Sequence, residues 1–324
     1  MRTLFRLLKE SIEGGAPAVM VTVVASSGST PRGTGAHMLV NGRGRIRGTI
    51  GGGAVEHRAE QIAAHILETK QSHLESFCLR KNDIQDLGMI CGGDVSVYFT
   101  YLAAGDEEVI RLTDQIEACY QRGVDSWLLL DVTEGGRGQM LLCEGADSRE
   151  AAQEQMRSEG KRYYCDKLTQ SETVYIFGGG HVAQALVPVL SAVDFRCVVL
   201  EDREEFCKPE LFPGAVRTIL VDPLKISQYV QVTEHDYACI MTRGHKDDML
   251  MQAQMMDTPV SYIGVIGSAK KKAGVSARLK EMGYTDQDLA RITTPIGLSI
   301  HAETPAEIAV SIAGQLIAVR AGRR

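Results

Sequence analysis

The chain has 324 residues, enough for two domains with a core in each. Its 44% hydrophobic and 23% charged residues are the balance of a soluble globular protein. The formal charge of −6 is spread over both signs, so there is no basic block for a nucleic acid and no acidic tail.

The N-terminal MRTLFRLLKESIEGG reads as a short amphipathic helix. Arg2, Arg6, Lys9 and Glu10 break its apolar face, so no signal peptide is expected. Residues 18–25 (AVMVTVVA) predict a buried strand, and residues 36–40 and 45–50 predict a hairpin around Asn41-Gly42-Arg43-Gly44. Helices are predicted over 54–70 and 106–122, and strands over 94–101, 126–132 and 139–143. Residues 144–173 turn polar and charged, and the domain junction is placed there. Strands then recur at 174–177, 196–200, 216–221, 237–242 and 262–266 with helical connections, the βαβ pattern of a parallel sheet. Thr304-Pro305-Ala306-Glu307 opens a last helix with a capping box. The predicted fold is α/β: an N-terminal α+β domain over 1–145, a junction over 146–172 and a Rossmann-like parallel-sheet domain over 173–324. No run of about 18 apolar residues occurs, so no membrane span is predicted. No two of the eight cysteines are closer than ten residues, which fits reduced thiols in the cytoplasm better than a zinc or redox motif.

The segment IFGGGHVA follows an apolar strand and opens a helix, giving Gly178-x-Gly180-x-x-Ala183. The first glycine permits a tight turn, the second leaves room for a phosphate, and Ala183 lets helix and strand pack closely. The helix N-terminus adds unpaired N–H groups. Glu201 and Asp202 end the next strand, placed to accept hydrogen bonds from ribose hydroxyls. Thr242-Arg243-Gly244-His245-Lys246-Asp247 follows a later strand and Gly267-Ser268 another. His245, Lys246, Asp247 and Ser268 are therefore expected in the same crevice as Gly178–Gly180.

A second glycine turn, Gly51-Gly52-Gly53, also joins a strand to a helix, but Glu56 stands where a carboxylate would repel phosphate. The nearby loop 26–36 is rich in hydroxyls and glycine and carries Arg32, so Arg32 and the glycine N–H groups are the candidates for holding an anion there. Gly88-Met89-Ile90-Cys91-Gly92-Gly93 sets a thiol in a glycine turn, where nearby N–H dipoles can activate it.

GSTPRGTGAHMLV, GTIGGGAVE and MICGGDVSVYF together resemble the N-terminal domain of the XdhC/CoxI family, the accessory factors for xanthine dehydrogenase and related molybdenum hydroxylases. VYIFGGGHVAQALVPVL, EDREEF, MTRGHKDD, YIGVIGS and TPIGLSIHAETPAEIAVSIA are similar to that family's C-terminal Rossmann domain. The resemblance implies a maturation factor that binds molybdenum cofactor (molybdopterin), supports its sulfuration with a cysteine desulfurase and hands it to the apo-hydroxylase. Cys91 is the residue it singles out, as sulfur relay or molybdenum ligand. Ser299 and His301 depart from the pattern, which usually has Asp and Gly there.

An oxidoreductase linked to NAD(P) or FAD, with His245 as acid/base, remains the alternative, because the glycine turn and its terminal acids serve it equally. A nucleotide-sensing module without chemistry is a third reading. Protein partners are expected, and a homodimer would shield a labile cofactor.

Overall fold

The computed structural model describes residues 1–28, 33–78, 93–136, 138–169, 172–267 and 269–322. Two units divide the chain, Met1–Gln170 and Ser171–Arg324.

The first unit is built around β1 (Ala18–Gly28), the β-branched run picked out by its composition. It pairs antiparallel with β2 (His37–Asn41) and with β5 (Gly93–Leu102). β3 (Gly44–Gly48) and β4 (His73–Cys78) complete the order β3-β2-β1-β5-β4. The β2–β3 hairpin turns where the sequence places it: the Arg43 N–H donates to Asn41 Oδ1 at 2.9 Å, and Gly44 takes φ +99°. Alternation along β1 buries both faces. Val19, Val21 and Val23 pack against α2 (Gly53–Thr69), through Val55, Ala59, Ala63 and Ile66. Ala18 and Met20 face Leu4, Phe5, Leu8 and Ile12 of α1 (Arg2–Glu13), and Val109, Leu112 and Ile116 of α3 (Glu107–Arg122).

A smaller antiparallel sheet, in the order β7-β6-β8, belongs to the same unit. It holds β6 (Ser126–Asp131), β7 (Met140–Glu144) and β8 (Tyr163–Thr169), with α4 (Gly145–Ser158) before β8. The predicted junction over 146–172 is corrected here. α4 and β8 are part of the first unit, and β8 pairs with β6 from Ser126↔Thr169 to Asp131↔Tyr163. The segment reads as a linker because α4 buries only Met156 and leaves a polar face to solvent.

The second unit is a six-stranded parallel sheet in the order β11-β10-β9-β12-β13-β14. Its strands are β9 (Thr173–Phe177), β10 (Arg196–Glu201), β11 (Arg217–Leu220), β12 (Tyr237–Ile240), β13 (Tyr262–Val265) and β14 (Ile292–Thr293). Numbered within the unit, that order is 3-2-1-4-5-6, the dinucleotide-fold order with its switch point between β9 and β12. Period-two alternation again divides the core. Val174, Ile176, Val199 and Cys239 meet α5 (His181–Ala192) and α9 (Pro305–Gly322). Tyr175, Phe177, Leu200 and Ile240 meet Met251 and Met255 of α6 (His245–Met256) and Leu279 of α7 (Ala269–Glu281) on the other face. Between α7 and β14 lies the short α8 (Asp286–Ala290). The capping box of α9 forms: Glu307 Oε2 accepts from the Thr304 N–H at 2.9 Å, and Thr304 Oγ1 from the Glu307 N–H at 3.3 Å. No helix among the described residues is long and apolar enough to cross a membrane.

Candidate functional site

At the carboxyl end of β9, Gly178 has φ +107°, and a Cβ there would lie 2.5 Å from the Met241 carbonyl oxygen. Glycine is therefore required by backbone and by packing. Ala183 is fully buried in the helix–sheet core, as expected. Gly180 differs. It caps α5 with φ −70°, and a Cβ would meet nothing within 4 Å. Neither conformation nor packing asks for glycine at this point, so its missing side chain leaves open space at the helix N-terminus.

Glu201 and Asp202 part company at the end of β10. Glu201 is 2% exposed. Its Oε2 accepts the Gly179 N–H at 2.5 Å and Arg203 Nη2 at 3.1 Å. Its Oε1 accepts Arg203 Nε at 2.8 Å and the Arg203 and Asp202 N–H groups at 3.1 and 3.2 Å. Burial works against the charge, but the Arg203 guanidinium, Asp202 and the Gly179 N–H outweigh it and hold the carboxyl down to about 2. The expectation that Glu201 meets ribose is corrected: five donors fill the roughly four lone-pair sites of a carboxylate. Asp202 is half-exposed, and it titrates above the ordinary aspartate range because the charged Glu201 carboxyl lies against it, with partial burial second. Arg203 is locked against Glu201 with its guanidinium 4.0 Å above the Phe206 ring, a partner that reading the sequence missed although the EDREEF motif contains it.

A shallow cleft opens here across the ends of β9, β10 and β12. Gly178, Glu201, Asp202, Thr242, Arg243 and Asp247 form its polar side, as the strand order requires. Its apolar side is Val221, Pro223, Ile226 and Met251, none of them singled out from sequence. The clue was the Rossmann order itself, which brings the segment after β11 to this edge. Asp248 shows why Asp247 is left in the cleft. Asp248 is the buried anchor of the β12–α6 turn, accepting the Thr242 N–H at 3.1 Å and its hydroxyl at 2.7 Å. His245 and Lys246 start α6, and their side chains lie outside the described residues, as does Ser268. Gly267, expected in the same crevice, instead lines a second shallow depression with Asp248, Gln252 and Thr294.

In the first unit, Gly51, Gly52 and Gly53 have φ +134°, +79° and +64°, a path that only glycine follows without strain. The turn is closed by its own protein. Glu56, 7% exposed, accepts the Ile50 and Gly52 N–H groups at 3.1 and 3.2 Å, the Thr49 hydroxyl and the Arg45 guanidinium. The Gly51 N–H goes to Thr49 Oγ1 at 3.1 Å. The expectation that Gly51 and Gly52 offer N–H groups to an anion is corrected, because a carboxylate of the chain already takes that place at the N-terminus of α2. Arg32 and Cys91 lie outside the described residues. The same unit holds an array not anticipated from sequence. Buried His37 bridges Thr22 Oγ1 at 3.1 Å and Asp166 Oδ2 at 2.7 Å, tying β1 and β2 to β8. Among the described residues, no cluster of three or more His, Cys, Asp or Glu side chains is arranged to hold a metal ion.

Residues 174–316 match the XdhC Rossmann domain, and residues 11–77 match the XdhC and CoxI family. The chain belongs to the XdhC and CoxI family. A Bacillus subtilis protein named as a probable xanthine dehydrogenase subunit is 25% identical over 99% of this chain and 98% of its own length. The molybdenum cofactor insertion chaperone PaoD of Escherichia coli is 22% identical over 98% of this chain and 88% of its own. The uncharacterized Escherichia coli protein YqeB is 24% identical over 95% of this chain, which spans only 44% of that protein. A crystal structure described as a xanthine dehydrogenase from Bacillus halodurans superposes with a TM-score of 0.76, at 23% identity, over 99% of this chain and 96% of that one. That likeness shows the fold. His301 takes φ +56°, a backbone that favours glycine.

Proposed function

We propose that this chain is a maturation factor for a molybdenum hydroxylase of the xanthine dehydrogenase type. It takes molybdenum cofactor as cargo in the cytoplasm, supports its sulfuration with a cysteine desulfurase and inserts it into the apo-hydroxylase. The observation that carries this reading is the end-to-end similarity to an insertion chaperone, with 98% of this chain matched to 88% of PaoD. Cys91 is the thiol proposed to relay sulfur or to hold the molybdenum, and Arg32 the cation for the cargo's phosphate. Gly53 is proposed to contribute to holding the same cargo. A second copy of the chain would complete the shelter around so labile a cargo.

The cleft of the second unit is proposed to hold a nucleotide, with phosphate at Gly178–Gly180 and ribose towards Asp202. Gly180 supports this most directly, since its open space has no internal use. The same cleft favours one second reading, an oxidoreductase linked to NAD(P) or a flavin, with His245 as acid/base and Lys246, Asp247 and Ser268 around the ligand.

The test is to purify the protein and its Cys91→Ala variant from cells that make molybdenum cofactor, then measure molybdenum by mass spectrometry and pterin by fluorescence after oxidation. Near-stoichiometric molybdenum and pterin, reduced in the variant, are expected. Absence of both after adding cofactor in vitro, together with turnover of NAD(P)H or a tightly bound flavin, would overturn the chaperone in favour of the enzyme. For the cleft, Gly180→Ala should lower nucleotide affinity by at least about 10-fold while costing below about 1 kcal/mol of stability.

A further inference from the structure

The turn after β10 presents three charged side chains in a row, Glu201, Asp202 and Arg203, and the structure gives each a different freedom. Glu201 has no acceptor site left, because all five donors around it come from the protein itself. Arg203 gives Nε and Nη2 to the two carboxylate oxygens of Glu201, lies over the Phe206 ring and does not line the cleft, so its charge is directed at Glu201 rather than at a ligand. Asp202 is the most open of the three, its side chain 49% exposed on the cleft wall, with the Glu201 carboxyl beside it and Arg203 Nε at 3.8 Å. Across the cleft stands a further carboxylate, Asp247. Among the described lining residues Arg243 is the only cation against these three acids, and it comes from the β12 side rather than from the end of β10.

We infer, on the nucleotide reading above, that the cleft selects a nucleotide with a free ribose 2′-hydroxyl and rejects a 2′-phosphate, with Asp202 as the acceptor and the Glu201–Arg203 pair as the lock that withholds the phosphate's natural partner. A hydroxyl donates to a carboxylate. A phosphate brings further negative charge to an edge that already holds Glu201 and Asp202, and the guanidinium able to offset it is engaged elsewhere. Val221, Pro223, Ile226 and Met251 supply an apolar wall for a base without choosing among bases.

The experiment is calorimetric titration of the full chain with ADP, CDP, GDP and UDP, then with the 2′-deoxy form of whichever binds best, and with NAD+ against NADP+. Loss of the 2′-hydroxyl should weaken binding at least about 10-fold, the scale of one charge-assisted hydrogen bond, and NADP+ should bind at least about 10-fold more weakly than NAD+. Asp202→Asn should bring the ribo and deoxy forms within about 3-fold of each other without lowering the melting temperature, because it removes a negative charge beside Glu201 and its only ion pair is long and solvent-exposed. Glu201→Gln, which loosens Arg203, should narrow the gap between NAD+ and NADP+. A deoxy form that binds as tightly as the ribo form, or NADP+ as tightly as NAD+, would sink the inference while leaving the nucleotide reading in place. No binding of any of these probes at about 1 mM would remove the nucleotide reading and the inference with it.

Discussion

Replacing Glu56 by alanine tests how the triple-glycine turn is held. In the native protein its carboxylate serves four donors: the Ile50 and Gly52 N–H groups, the Thr49 hydroxyl and the Arg45 guanidinium. Ile50 is 3% exposed, so orphaning its N–H costs about 1–3 kcal/mol. Gly52 is partly open to water and adds roughly 0.5–1 kcal/mol, as does the lost negative charge at the helix N-terminus. Arg45 is largely in solvent and adds little. The sum is about 3 kcal/mol for Glu56→Ala, and roughly 1 kcal/mol for Glu56→Gln, which keeps a carbonyl acceptor but loses the charge. The chain's single tryptophan, Trp127, lies on β6 in the same unit. Urea unfolding followed by its fluorescence therefore reports this unit without the other. Burial pushes the Glu56 carboxyl up, but Thr49, the Ile50 and Gly52 amides and Arg45 bring it below its ordinary 4.5. The unfolded chain then binds the proton more readily, so the contribution is complete above about pH 4.5 and is lost as pH falls towards the lower native value. A Glu56→Ala shift under about 0.5 kcal/mol, or a gap between wild type and Glu56→Gln that stays constant from pH 7 to about pH 3, would refute this account.

Asp166→Ala leaves the buried His37 imidazole without its partner at 2.7 Å and unties β8 from β2. A loss of about 2 kcal/mol is expected in the same fluorescence-detected unfolding. In the second unit, Arg291 donates to the carbonyls of Met256, Thr258 and Val260 at 2.7, 2.9 and 2.9 Å, closing the chain after α6. Arg291→Ala should cost about 2 kcal/mol and Arg291→Lys most of that, since an ammonium cannot reproduce the fork. Scanning calorimetry should register both in one of the two units.

The second unit was legible because its strands are continuous apolar runs at βαβ spacing, and runs such as VYIF and CVVL need no partner to be recognised. β4 (HLESFC) and β8 (YYCDKLT) were missed for the opposite reason: each mixes charged and apolar residues and buries little. Only pairing to β5 and β6 fixes them as strands. The candidate site divides in the same way. That acids end β10 was visible, since position alone requires it. Which acid stays open to the cleft was not, because Glu201 and Asp202 are neighbours of like chemistry. The choice falls to contacts that sequence spacing does not encode, the Gly179 N–H from the preceding turn and Arg203 folding back. The upstream glycines make the same point with opposite sign. Glu56 read as an obstacle to phosphate, and it is one, but through occupation rather than repulsion: the chain carries its own anion into the site a phosphate would take. Of the two glycine turns, the first is filled by a side chain and the second is left open at Gly180, so a nucleotide is sought only at the second.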